Sequence, residues 1–174
     1  MEADGNLKWE GKATAKLLKP TADEVWPLLA DFFSLHKWLP TIDTCFKVVD
    51  DGDGKSGGLV RHCAASPRGG DPAVRWCRER LTGVDAAGRR LSYEVVDSNM
   101  GFKSYESTLR VVPIDGGDDP GCEIEWSFVA DPVDGLSCED LAKYVAMGLQ
   151  GMARNMESAL TTQSDAVAAA LELI

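Results

Sequence analysis

Few residue types in this chain could do chemistry. The two histidines, His36 and His62, have no carboxylate at a ligand-like spacing beside them, which argues against a catalytic metal; His36 reads as a helix-surface residue and His62 as a strand residue. Cys45, Cys63, Cys77, Cys122 and Cys138 are odd in number, widely spaced and free of any Cys-x-x-Cys pair, the pattern of reduced thiols and not of a disulfide framework or a zinc site. Gly52, Gly54 and Gly57 satisfy G-x-G-x-x-G, but they precede a strand pattern, and Asp50, Asp51 and Asp53 would repel a pyrophosphate, so the match is a turn. A P-loop fails at Val49, where its first glycine belongs. A calcium loop fails at Ser56 and His62, where its turn glycine and its bidentate carboxylate belong. No G-x-S-x-G elbow is present to seat a hydrolase nucleophile. Neither a cofactor nor a metal is expected.

What remains is a set of polar side chains inside strand-like stretches. Around Tyr105 the alternation is legible: Tyr105, Ser107, Leu109 and Val111 share one face and Ser104, Glu106, Thr108 and Arg110 the other, so Tyr105 points inward, where its phenol needs a partner. Arg61 shares a face with Leu59 and Cys63, and Glu79 with Cys77 and Leu81. Their opposite faces carry Val60 and Ala64, or Val74 and Trp76, so parity by itself favours an exposed Arg61 and Glu79, types that are almost never buried unless paired.

The elements that must position these residues follow from hydrophobic period. Trp9, Gly11, Ala13, Ala15 and Leu17 alternate with Glu10, Lys12, Thr14 and Lys16, a half-buried strand. Thr21 and Glu24 form a capping box ahead of Val25, Leu28, Leu29 and Phe32 at helical spacing, and 34–40, closed by Pro40, reads as a second short helix packed on the first. Strands are expected at 45–49, 57–65, 74–84, 89–97, 103–112 and 123–129, separated by turn-forming clusters short enough to make the strand order sequential. Ser137 and Asp140 then open a long helix with Leu141, Val145, Leu149, Met152, Met156 and Leu160 in one stripe. The pattern divides the chain into a tail at 1–8, a domain at 9–160 and a tail or weak helix extension at 161–174.

Segregated strand and helix signals indicate an α+β protein: a helix-grip fold, with a seven-stranded curved antiparallel sheet wrapped around the long C-terminal helix and two short helices after strand one. A helix that touches a concave sheet along only part of its length leaves an apolar cavity, the default site for a small hydrophobic molecule. The competing reading, a stripe that fills the space completely, stands beside it; Met147, Met152 and Met156 favour an adaptable wall only slightly.

Composition narrows the partners. With 174 residues, 44% hydrophobic and 26% charged, the chain fits one globular domain. A net charge of −10 repels phosphate backbones and anionic headgroups, so no nucleic acid is expected as partner. No apolar run approaches membrane-spanning length and 1–8 carry no signal-peptide pattern, so neither membrane insertion nor export is expected, and the reduced cysteines suit a cytoplasmic location. No heptad or edge patch asks for a second copy, so a monomer is expected.

The chain also carries a family resemblance. WEGK at 9–12, WPLLADF at 26–32, LHK at 35–37, GLVR at 58–61, WCRERL at 76–81, Tyr105 with Thr108, and EWSF at 125–128 resemble the plant lachrymatory factor synthase group. That group lies in the polyketide cyclase/dehydrase branch of the START-like (Bet v 1-like, SRPBCC) superfamily. The resemblance runs in order from about Trp9 to Leu160 and implies a plant origin and a helix-grip cavity. It also implies lyase or isomerase chemistry, the rearrangement of an unsaturated sulfenic acid to a thial S-oxide by an Arg, a Glu and tyrosines. Arg61, Glu79 and Tyr105 match that set, which turns Arg61 and Glu79 inward: Arg61 would hold the oxygen, Glu79 move the proton and Tyr105 orient the substrate. The ligand-binding wall so implied is Tyr93, Val95, Ser107, Leu109 and Trp126 on strands and Leu149, Met152 and Met156 on the helix. One departure is Val95, which stands where the group has a second cavity tyrosine; Tyr93 fits a neighbouring one. A structural ion pair between Arg61 and Glu79 in a non-catalytic carrier or receptor for a metabolite or lipid is the alternative. Hormone-gated phosphatase inhibition is disfavoured, because 66–72 lacks the Ser-Gly-Leu-Pro-Ala gate and no His-Arg-Leu follows near Asn99; a lid role for 66–72 stays open.

Overall fold

The computed structural model describes residues 7–49, 58–67, 73–114 and 120–172. The turn read at 52–57, residues 68–72 of the loop at 66–72 and most of the acidic loop at 115–121 lie outside the described residues.

Strand β1 (Trp9–Leu17) alternates as its sequence dictates, with Ala15 and Leu17 buried and every lysine exposed. Helix α1 (Ala22–Ala30) starts from the expected capping box: Thr21 Oγ1 accepts from Glu24 N at 3.2 Å and Glu24 Oε1 from Thr21 N at 3.0 Å. The second short helix is a 3-10 helix over Phe32–Lys37, earlier and tighter than the 34–40 expected. Strands β2 (Thr44–Lys47), β3 (Val60–Ala65), β4 (Arg75–Asp85), β5 (Arg90–Ser98), β6 (Tyr105–Pro113) and β7 (Cys122–Ala130) follow, and α2 (Cys138–Glu172) closes the chain. Ser137 Oγ and Asp140 Oδ2 exchange bonds with each other's backbone N–H at 3.0 Å, the predicted cap of α2. The segment 161–172, expected to extend the helix weakly or fray, continues α2 without a break.

The seven strands form one antiparallel sheet in the order β1-β7-β6-β5-β4-β3-β2. The order is sequential from β2 to β7 but not at β1, which pairs with β7 from Trp9↔Ala130 to Leu17↔Cys122. The reason is the helical crossing: α1 and the 3-10 helix carry the chain from one edge of the sheet to the other, so β1 and β2 end as opposite edges. The result is the expected α+β helix-grip fold, with α2 lying on β1 and β7.

Polar ties set the position of α2. Glu157 Oε2 accepts from Leu18 N at 2.7 Å and Lys19 N at 3.0 Å at the end of β1, and Asn155 Nδ2 donates to Trp38 O at 2.8 Å beyond the 3-10 helix. The stripe Leu141, Val145, Leu149, Met152 and Met156 is buried. Met147, read as part of the adaptable wall, is 69% exposed, because it lies off the stripe that faces the sheet.

Candidate functional site: an apolar cavity with one carboxylate

The β4–β5 pairing shifts register between Arg78 and Glu79 and again between Leu81 and Gly83. Such bulges bend a sheet and re-aim side chains. The segment between them carries Glu79, which faces Arg61 directly across the β3–β4 ladder. Arg61 Nε donates to Glu79 Oε1 at 2.7 Å, and their side chains are only 5% and 12% exposed. Arg61 Nη1 donates to the Phe32 carbonyl at 3.0 Å, and its guanidinium lies 4.0 Å from the Phe32 ring centroid and 4.9 Å from that of Tyr93. Burial would lower the pKa of Arg61, but Glu79, helped by Cys63 and Tyr93, outweighs it and raises the pKa, so the cation is permanent. The parity-based placement of both residues on the surface is thus corrected: each supplies the partner that lets the other be buried.

Beside this pair lies a cavity of about 320 Å³, within the size range of small-molecule sites. One wall is Cys63, Cys77, Glu79, Tyr93 and Val95 of β3–β5, continued by Tyr105 and Trp126. Leu35, Leu39, Thr41 and Ile42 form a second wall, and Leu141, Tyr144 and Val145 of α2 with Met100 and Phe102 a third. Of the residues expected to act, Glu79, Tyr93, Val95, Tyr105 and Trp126 come together on the cavity surface. Arg61 does not line it; the residue stands behind Glu79, its Nε and Nη1 bonded to the protein. Ser107 is likewise one layer back, accepting from Trp126 Nε1 at 2.7 Å, with Tyr105 Oη at 3.1 Å and Ser127 O at 3.0 Å to share its single proton. Leu109, Leu149, Met152 and Met156 are not brought to the cavity: they pack in the buried core, where the middle of α2 meets the sheet.

The half of the helix stripe that reaches the cavity is the N-terminal one, Leu141 and Val145, with the exposed Tyr144 beside it. Periodicity revealed the stripe but not which end stood clear of the sheet. Leu35 and Leu39 could be read as apolar residues of the hairpin; Phe102, Cys63 and Cys77 carried no signal beyond hydrophobicity and parity. Thr41 Oγ1 is buried with no hydrogen-bond partner among the described residues, a polar handle that sequence reading did not single out.

Burial pushes the phenols of Tyr93 and Tyr105 well above their ordinary range, so both stay protonated and can donate to a ligand oxygen. Burial also raises the Cys77 thiol, which sits 3.8 Å from Glu79 Oε2. Glu79 is the one carboxylate among the described residues that line the cavity. Among the described residues no three His, Cys, Asp or Glu side chains converge as metal ligands do, and no helix is long and apolar enough to cross a membrane.

A family model described as polyketide cyclase / dehydrase and lipid transport matches residues 13–171. The chain belongs to this family. Polyketide cyclase/dehydrase membership suggests a small hydrophobic ligand, which agrees with the cavity's apolar walls. A curated relative, MLP-like protein 423 of Arabidopsis thaliana, is 30% identical over 103 residues, 58% of this chain; the match spans 64% of that relative's length. The XoxI protein of Bacillus cereus superposes with a TM-score of 0.65 at 23% identity, over 86% of this chain and 94% of that one. A START superfamily protein from Mycobacterium smegmatis superposes with 0.64 at 14% identity, over 88% and 98%. At such identities these structures show the fold, and the fold is START-like.

Proposed function

We propose that the protein binds a small, largely apolar molecule in this cavity and catalyses a proton-transfer rearrangement of it, as the lachrymatory factor synthase group does with a sulfenic acid. The observation that carries this reading is Glu79: a single carboxylate in an apolar wall, held at 2.7 Å by a buried arginine and faced by two protonated phenols. With an alkenyl sulfenic acid, the carboxylate takes the proton from the S–OH group and the far alkene carbon gains one, while the C=C bond shifts to C=S; no atom enters or leaves. Tyr93 or Tyr105 donates to the oxygen. Arg61 acts through Glu79, fixing its position across the ladder at 2.7 Å, and so is a positioning residue. General acid/base help of this kind contributes roughly 10²–10⁴-fold.

The second reading is a carrier of the same class of ligand, with Arg61–Glu79 a structural pair. It draws on the commitment of both Glu79 oxygens inside the protein, Oε1 to Arg61 and Oε2 to the Cys77 thiol. The test is product formation from 1-propenyl sulfenic acid, generated in situ, by wild type and Glu79→Gln, with an uncharged naphthalene fluorophore reporting cavity occupancy in both. Thial S-oxide from wild type only, with the fluorophore bound by both, is the expected result. Equal product from both would remove Glu79 from catalysis, and binding without product from either would make the carrier the right account.

A further inference from the structure

Strand β2 places Cys45 directly opposite Cys63 of β3. Antiparallel neighbours alternate between bonded and unbonded positions; Val48 N bonds Val60 O at 2.9 Å, which puts the cysteine pair on an unbonded position, where facing side chains come closest. Their sulfurs are 3.6 Å apart. A disulfide needs about 2.05 Å between sulfurs and a Cα spacing that such a strand pair already meets, so side-chain rotation closes the gap without moving the backbone.

The two thiols are unequal. Cys63 is 3% exposed and lines the cavity, whereas Cys45 is partly open to solvent. The Cys63 S–H donates to Cys45, which lowers the pKa of the Cys45 thiol well below the ordinary range; burial and Glu79 oppose this, and Arg61 adds to it. The same hydrogen bond, with burial second, holds Cys63 protonated. A partly exposed thiol 3.6 Å from a buried one is the arrangement of an attacking and a resolving cysteine.

We propose that Cys45 and Cys63 are a dithiol modification site that closes to a disulfide on the cavity wall by exchange with small disulfides of the glutathione class. The Cys45 thiolate attacks one sulfur of the small disulfide and expels a thiolate, which takes up a proton. Cys63 then gives up its proton, attacks Sγ of Cys45 in the mixed disulfide and expels the second small thiol. Two protein thiols lose two electrons together, and one small disulfide becomes two thiols. Closure draws the Cys63 sulfur out of the cavity wall toward β2 and ties that four-residue edge strand to β3.

The experiment incubates the intact reduced protein with oxidised glutathione, blocks residual thiols and maps peptides without reduction. The expected product is a chain lighter by two hydrogens, with the Cys45 and Cys63 peptides joined and Cys77, Cys122 and Cys138 blocked. Cys63→Ala removes the resolving thiol and should trap one glutathione per chain on Cys45, while Cys45→Ser should leave Cys63 reduced. A wild-type chain that keeps all five thiols, or one that joins Cys63 to Cys77, overturns the proposal. So does a Cys63→Ala chain with no adduct at Cys45.

Discussion

At the scale of single residues, the Arg61–Glu79 pair illustrates how burial changes the meaning of charge. Removing one partner strands the other in a site that is 5–12% exposed, and breaking such a pair costs roughly 3–5 kcal/mol. Arg61→Met should lower the unfolding free energy obtained from urea titration by about 3–5 kcal/mol. Arg61→Met with Glu79→Met should recover most of it, because two apolar side chains leave no unpaired charge; a double variant as unstable as the single one would mean that the loss comes from the Phe32 and Tyr93 contacts of the guanidinium. His62 supplies a pH test on the sheet's other face. It is stacked between Phe46 at 4.9 Å and Trp76 at 5.5 Å, and its Nδ1 accepts from Arg78 Nε at 3.2 Å. Burial, with Arg78 adding, lowers its pKa below the ordinary 6.5. The unfolded chain therefore binds the proton more readily, and His62's contribution is present above that value and lost as pH falls through it. Urea midpoints of wild type should decline relative to His62→Gln between about pH 7 and pH 5; parallel curves would show that the imidazole is not linked to folding.

At the scale of elements, glycine decides how closely α2 approaches the segment after the 3-10 helix. A Cβ at Gly151 would lie 2.5 Å from Pro40 Cγ, and one at Gly148 would lie 3.2 Å from the mobile end of Leu39. Gly→Ala in an exposed helix gains up to about 1 kcal/mol. At Gly151 the rigid proline ring reverses the sign, and overpacking should cost about 1–3 kcal/mol. Thermal or urea unfolding should therefore show Gly151→Ala clearly destabilised and Gly148→Ala much less so. The capping boxes at Thr21 and Ser137 were legible as sequence because their bonds are local. The glycine contacts were not, since Pro40 and Gly151 stand more than a hundred positions apart, with β2 to β7 between them in the chain.

For the whole molecule, the question is where the apolar stripe of α2 fills space and where it leaves some. Met152→Ala lies in the sealed half and should cost about 2–5 kcal/mol, with fluorophore affinity of the folded protein unchanged. Val95→Trp lies in the open half and should weaken that affinity by about tenfold or more, an effect of ~1.4 kcal/mol or greater, with a smaller change in stability. Titration of the fluorophore alongside urea unfolding separates the two. Equal losses of affinity would mean that the cavity and the core are one compartment.

Period and capping chemistry, read from the chain alone, determined the element order, the long helix and the α+β class, because each depends on residues a few positions apart. The family resemblance pointed to Arg61 and Glu79 together when parity pointed both outward, since parity does not register a partner from another strand. Only the tertiary structure decided that β1 joins β7, that Arg61 stands behind Glu79 instead of on the cavity wall, and that Leu141 and Val145 face the cavity while Leu149, Met152 and Met156 do not. Each of these depends on sheet curvature and on where the helix crosses it. Those quantities are set jointly by strand register, bulges and contacts between residues more than a hundred positions apart, such as Leu18 with Glu157, and no local pattern encodes them.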